Sequence, residues 1–493
     1  MGTFGDSGNG GHQGVGSGEG LRRRFLRLTG VNILTNLTVP VAGLVDTALL
    51  GHLPDIRFLA GTALASLVFD YVYWSFGFLR MGTTGTTAQA VGAHRAGRGD
   101  ASEVYRVLWR SLAVALAAGA VLLVFQVPLR ELGFLLLAGE SGVEAAGRDY
   151  FGARIWAAPA TLANFALLGW FLGREESGRA LAMSATANVV NVGLNWWFIV
   201  ELGMAARGAG LATAGSQYAQ LTVALVLLSR AVAGDRAPGE TATGEAEAAH
   251  GGRLPGWDRL VLARERFTEL ARLNRDILVR TLCLVSAFAL FTNFSSLLGT
   301  TVLAANAVLL RLFYVATYAV DGAAFATESL AGIFYGGGDG GSPRGADSVG
   351  ALRRLERMAV AFGVVFSVGF LAVLFAAPAA VLGLLTSHAE VVAQARRGAP
   401  WLVPVLLAGA VAFVYDGFFL GLTNGRVLRN SMLLSTLVVF LPASALALAL
   451  GSNHGLWLAM TLFMAARAAT LAVASRRWVP AWRLGPGRPA ARR

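Results

Sequence analysis

Twelve apolar runs, each long enough to cross a bilayer, constrain this chain more than any motif does. They lie at residues 28–53, 58–82, 107–128, 150–173, 180–202, 208–230, 273–299, 301–334, 356–384, 398–421, 430–450 and 455–475. A spanning helix needs about 20 predominantly apolar residues. Lipid offers no partner for stray backbone groups, so runs of this length are expected to form helices. Charged residues make up 14% of the chain, against roughly 25% in soluble domains. The expected fold class is an all-α membrane protein with twelve transmembrane helices.

The net charge of +12 comes from arginine alone, since the sequence has no lysine. With the amino terminus inside, 29 of the 41 arginines fall in cytoplasmic segments, seven on the opposite face (Arg57, Arg130, Arg148, Arg154, Arg207, Arg396, Arg397) and five within spans. The positive-inside rule then places both termini in the cytoplasm of a multi-pass protein of the inner (plasma) membrane. The basicity is topological, and nucleic acid is not expected as a partner. The single cysteine, Cys283, excludes an intrachain disulfide and a cysteine-cluster metal site. There is no Walker A sequence, no H-E-x-x-H, no G-x-S-x-G and no Cys/His metal spacing. The expectation is a protein that is not an enzyme and has no cofactor and no metal.

Residues 1–24 are Gly-rich, lack an apolar signal-peptide core, and read as a disordered tail. Residues 25–232 hold six spans and 263–478 hold six more; 233–262 read as a flexible cytoplasmic linker and 479–493 as a cytoplasmic tail. The halves repeat. "GWFLG" at 169–173 returns as "GFFLG" at 417–421, offset 248, and "LLG" at 49–51 as "LLG" at 297–299. "GTTGTTAQAVG" at 82–92 aligns with "GAAFATESLAG" at 322–332, offset 240, which makes Arg80 the counterpart of Val320. Six spans per repeat give both halves one orientation, hence two six-helix lobes related by a pseudo-two-fold axis along the membrane normal, the architecture of secondary transporters.

Asp46 in "VPVAGLVDTALLGHL" is an acid inside the first span, and the matching position of the second half is Phe294. An intramembrane acid is costly and is a functional-site hypothesis by default. It follows Pro40, which interrupts helical hydrogen bonding. Desolvation favours its neutral form, so its protonation is readily reversed. The competing role is packing, through hydrogen bonds to Asn32, Asn36 or Thr47. Asn188, Asn191 and Asn195 step by three and four and share one helix face, suited to orienting a carboxylate or coordinating a cation, or else to joining helices. Thr213 and Gln217, four apart, can complete that cluster, as can Asn164. Asp70, beside Tyr71, Tyr73 and Trp74, suits an organic cation. In the second half, Asp321, Glu328 and Asp416 can serve substrate or ion, or pair with Arg280 or Arg311. Arg80 and Asp321 form a candidate cytoplasmic latch.

"GLVDTALLGHL", "GFLRMGTTGTTAQAVGAHRAG", "LNRDILVRTLCL" and "LAANAVLLRLFYVATYAVDGAAFATESLAG" together resemble the multidrug and toxic compound extrusion (MATE) family, in its DinF-like branch, from about residue 25 to 478. The resemblance implies an alternating-access antiporter that exports organic, often cationic, compounds in exchange for H+ or Na+. It implies a coupling site of a first-span acid, an Asn-x-x-x-Asp pair and a Thr. Asp46, Asn191, Asn195 and Thr213 take those places, with Asn195 departing from the common Asp. That departure favours H+ over Na+. The expected partners are the lipid bilayer and a small organic substrate, with the chain a monomer. Two rivals remain at this point: a lipid-intermediate or polysaccharide flippase of a related fold, which favours a strongly cationic cavity, and a non-transporting membrane receptor or scaffold, which needs a docking domain.

Overall fold

A computed structural model describes residues 18–136, 140–235, 264–338, 343–383, 385 and 388–482; the Asp46 side chain and a few others within them are not described. Most of the expected tails and linker lies outside these residues.

The first span is two helices, α1 (Gly18–Leu37) and α2 (Val39–Gly51), parted at Thr38. Pro40 in the first turn of α2 explains the break, because it has no N–H to continue the ladder. α1 starts inside the stretch expected to be disordered: Leu21, Phe25 and Leu28 recur on one face and are buried, with Phe25 edge-on to Phe362 at 5.9 Å. An amphipathic stripe, not composition, decided those residues. The chain continues through α3 (Ile56–Ser75), α4 (Phe78–Arg95), α5 (Ala101–Val124), α6 (Gln126–Leu136), α7 (Ser141–Arg154), α8 (Ala158–Gly173), α9 (Ser177–Asn195) and α10 (Ala205–Asp235). α10 overruns the expected linker start by three residues.

The second half comprises α11 (Arg264–Leu297), α12 (Thr300–Gly337), α13 (Pro343–Ala376), α14 (Pro378–Gly383), α15 (Ala389–Gly398), α16 (Leu402–Gly421), α17 (Gly425–Leu433), α18 (Leu441–Ala449) and α19 (Asn453–Trp482). Among the described residues, ten helical stretches are long and apolar enough to cross a membrane. The other two expected spans are helical but interrupted or polar: α1–α2, and α9 with its asparagine face. π-helical turns follow α9 at Trp196–Glu201 and α17 at Leu434–Phe440.

The chain forms two compact units. One holds residues 34–91 and 99–282, the other the described residues of 1–33, 92–98 and 283–493. The division falls inside α1, α4 and α11 and in the turn between α4 and α5. In the first unit α8 is the buried centre, packed on α5, α9 and α10; Trp170 is fully buried and its indole N–H donates to the Val104 carbonyl at 2.9 Å. In the second, α12 packs on α16, and α16 on α13 and α19. There the Asn306 amide joins three helices: it donates to Ser295 Oγ (2.8 Å) and Asn453 Oδ1 (2.7 Å), and accepts from the Trp457 indole (2.9 Å). A buried amide satisfied on both ends fixes their register.

Glycines set the closest helix contacts, and they mark the repeat. A Cβ on Gly169 would stand 2.5 Å from the Arg80 carbonyl oxygen, and one on Gly173 2.7 Å from that of Thr84. In the other unit, Cβ atoms on Gly417 and Gly421 would each stand 2.2 Å from the carbonyls of Ala324 and Glu328. Across these contacts Arg80 corresponds to Ala324 and Thr84 to Glu328, an offset of 244, one helical turn from the 240 expected. Gly82 and Gly322, the pair matched at 240, meet different partners: the Asn274 side chain and the Ile33 backbone.

Candidate functional site

In the first unit α2 and α8 each pack on α9 and α10, which pack on each other, and each of the four carries expected site residues. Asp46 lies in the middle of α2; its side chain lies outside the described residues. On α9, Asn191 (3% exposed) and Asn195 (0%) face inward, and Asn195 Nδ2 donates to Asn191 Oδ1 at 3.0 Å. The opposite side of that segment carries Val189, Trp196 and Trp197, all exposed, which suits contact with lipid. Asn188 is half-buried, one turn away. Amides withdrawn from lipid point where another polar group can use them.

α8 and α10 join through Asn164, 1% exposed, whose Nδ2 donates to the Gln217 carbonyl (2.9 Å) and to Gln217 Oε1 (3.2 Å). Asn164 Oδ1 is buried and has no hydrogen-bond partner. Thr213, half-buried, donates its hydroxyl to the Ala209 carbonyl at 3.1 Å, leaving its oxygen lone pairs as acceptors. The geometry therefore brings Asn191 to Asn195, and Asn164 to Gln217, as two amide pairs on three mutually packed helices.

Arg154, at the end of α7, is half-buried in this unit. Its guanidinium covers the Phe69 ring at 4.6 Å and donates to the Tyr150 hydroxyl at 2.8 Å and Ser66 Oγ at 3.5 Å. Stacking on an aromatic face and a phenol replaces much of the water that an arginine loses on burial. Asp70 is exposed and feels the Arg154 charge, while Tyr73 is buried and Tyr71 and Trp74 are exposed. Arg80 is half-buried on α4.

In the second unit Glu328 is fully buried on α12 and Asp321 half-buried. Asp416 was expected to serve ligand or to pair with Arg280 or Arg311. It pairs with Arg467 on α19: Nη2 donates to Oδ2 at 2.7 Å, with Asp416 4% and Arg467 0% exposed. The guanidinium also lies over Phe413 (5.0 Å) and Phe463 (5.5 Å), and Arg311 is exposed. Nearby in sequence, Tyr415 and Ser475 donate to Glu356 Oε1 at 2.8 and 3.0 Å, and Arg353 to Oε2 at 3.2 Å. Arg467 and Glu356 were not singled out from sequence. The signal available was an arginine inside the last apolar run, which demands a buried partner. Among the described residues, no group of three or more His, Cys, Asp or Glu gathers as a metal site.

The MatE family model matches residues 32–197 and again 277–446. DNA damage-inducible protein F of Escherichia coli K12 is 34% identical over 453 residues, covering 92% of this chain and 91% of that protein. Protein DETOXIFICATION 44, chloroplastic, of Arabidopsis thaliana is 25% identical over 464 residues, covering 90% and 79%. A multidrug resistance MATE family transporter of the MOP superfamily, solved in an outward-facing conformation, superposes with a TM-score of 0.78 at 18% identity, covering 96% of this chain and 99% of its own. A MATE crystal structure in a straight conformation gives 0.78 at 19%, covering 94% and 97%.

Proposed function

The chain belongs to the MatE family of multidrug and toxic compound extrusion transporters, and on that premise we propose that it is a proton-coupled antiporter exporting organic cations by alternating access. As a member it is a multi-pass membrane transporter of small substrates, not an enzyme. In the proposed cycle Asp46 takes up the coupling proton, and Asn191, Asn195 and Thr213 orient and solvate its carboxylate in the charged state. Asp70, with Tyr71 and Trp74, attracts the cationic substrate. Both termini face the cytoplasm, the chain acts as a monomer in the inner membrane, and Na+ is the alternative coupling ion.

The observation that carries this reading is a contrast between two acids. α2, which bears Asp46, packs on α9, whose Asn191–Asn195 pair is buried and amidic, without a carboxylate of its own. Asp416 in the other half is already neutralised by Arg467 at 2.7 Å, so it stands as structure and not as the exchanging group. The test is efflux of a fluorescent organic cation from proteoliposomes under an imposed pH or Na+ gradient. Wild type is expected to respond to the pH gradient. Asp46→Asn is expected to keep substrate binding but lose gradient-driven efflux, because an amide mimics the protonated acid and cannot cycle. Undiminished proton-driven transport by Asp46→Asn removes Asp46 from the mechanism, and drive by Na+ alone replaces the proposed ion.

A further inference from the structure

A cavity of about 300 Å³ opens on the first unit where about the first four turns of α11 lie against α4 and α5. Its walls are almost wholly apolar: Phe78, Val114, Leu270, Ala271 and Leu278 line it, all but Ala271 half-buried and Ala271 exposed. Arg275 lines the same cavity, one turn beyond Ala271 and about one turn before Leu278 on one helix face. Its side chain is 63% exposed, with Nη2 3.4 Å from Asp276, and Arg272, also exposed, lies three residues before it. The groove thus combines an apolar trough with one lining cation, Arg275, whose exposed head reaches outward while its stem follows the apolar wall.

We propose that this groove holds an acyl chain of an anionic phospholipid of the cytoplasmic leaflet, its phosphate on Arg275. The leaflet rests on the orientation proposed above. The trough is too small for a whole lipid and suits a segment of one chain. The cation that lines it selects a negative headgroup over a zwitterionic one, as basic pockets on the cytoplasmic side of membrane helices do. Occupied, the groove ties the first turns of α11 to α4 and α5.

Native mass spectrometry of the full-length protein, released from bilayers of equal phosphatidylglycerol and phosphatidylcholine, tests this. Wild type is expected to retain one phosphatidylglycerol with at least five-fold preference. Ala271→Trp, which fills the trough, and Arg275→Glu, which reverses an exposed charge, are each expected to lower that retention at least five-fold. Val365→Trp, at a 70% exposed position on α13, is expected to leave it unchanged. Equal retention of the two lipids by wild type overturns the proposal, as does undiminished phosphatidylglycerol in both groove variants. The readout is lipid and not transport, so its failure and failure of the coupling scheme are distinguishable.

Discussion

Removing Arg467 is expected to unlock the second half of the transporter. Arg467→Met deletes the donor 2.7 Å from Asp416 and the cation over Phe413 and Phe463, leaving a carboxylate that is 4% exposed without its ion pair. Breaking a buried pair from one side costs about 3–5 kcal/mol, because the surviving charge has already lost its water. A domain of 150–250 residues shifts its melting midpoint by about 2–4 °C per kcal/mol, so the midpoint should fall by about 6–20 °C. Asp416→Leu, which removes the guanidinium's carboxylate partner, is expected to fall comparably. The double variant Asp416→Leu with Arg467→Met should recover most of the loss, since replacing both ions by apolar groups is often neutral or better. The assay is fluorescence-monitored melting of the detergent-solubilised protein, followed by proton-driven efflux of the double variant, which should persist. A double variant as unstable as the worse single one refutes the pairing argument. Abolished efflux in a stable double variant returns Asp416 to the coupling chemistry.

Asn195→Asp places a carboxylate beside Asn191 and should shift the pH optimum of transport and introduce Na+ stimulation, since two nearby acids favour sharing a cation; an unchanged pH profile in vesicles means that residue 195 does not act on the coupling group. Gly421→Ala puts a Cβ 2.2 Å from the Glu328 carbonyl, backbone that cannot step aside, and should cost about 1–3 kcal/mol, whereas Gly369→Ala, with nothing within 4 Å, should gain about 0.5–1 kcal/mol from helix propensity; melting of the two variants side by side checks both. Outside the spans, hydrogen bonds from Arg148 and then Arg130 hold the exposed Glu131 carboxylate down at about 2, below its ordinary 4.5. A depressed carboxylate stabilises fully above its unfolded value and loses that contribution as pH falls toward the folded one. The wild-type melting midpoint should therefore drop more steeply between pH 4.5 and 2 than that of Glu131→Gln.

Fold class, family and transport role were legible in the sequence because each rests on local order. Long apolar runs force helices whatever their neighbours do, and the spacing of Asn188, Asn191 and Asn195 puts them on one face from helix geometry alone. Asp46 stood out because an acid in an apolar run needs a reason, and Pro40 marked the break beside it. Leu21, Phe25 and Leu28 carried the same kind of signal, which the glycine-rich composition before them masked.

Tertiary structure decided what depends on how far one helix slides and turns against another. Arg467 could face lipid-shielded neighbours on any of several helices, and only the docking of α19 on α16 brings it to Asp416. Arg154 could turn to water or to its neighbours, and only the packing of α7 on α3 sets its guanidinium over Phe69 and beside the Tyr150 hydroxyl. The repeat was visible as matched glycines, but its register across the α4–α8 and α12–α16 contacts moved from 240 to 244. Fragment similarity counts residues along one chain, whereas Gly173 against Thr84 and Gly421 against Glu328 report which backbones touch. A sequence with 3.6 residues per turn looks alike when slid by one turn, and only close packing of backbone on backbone tells those registers apart.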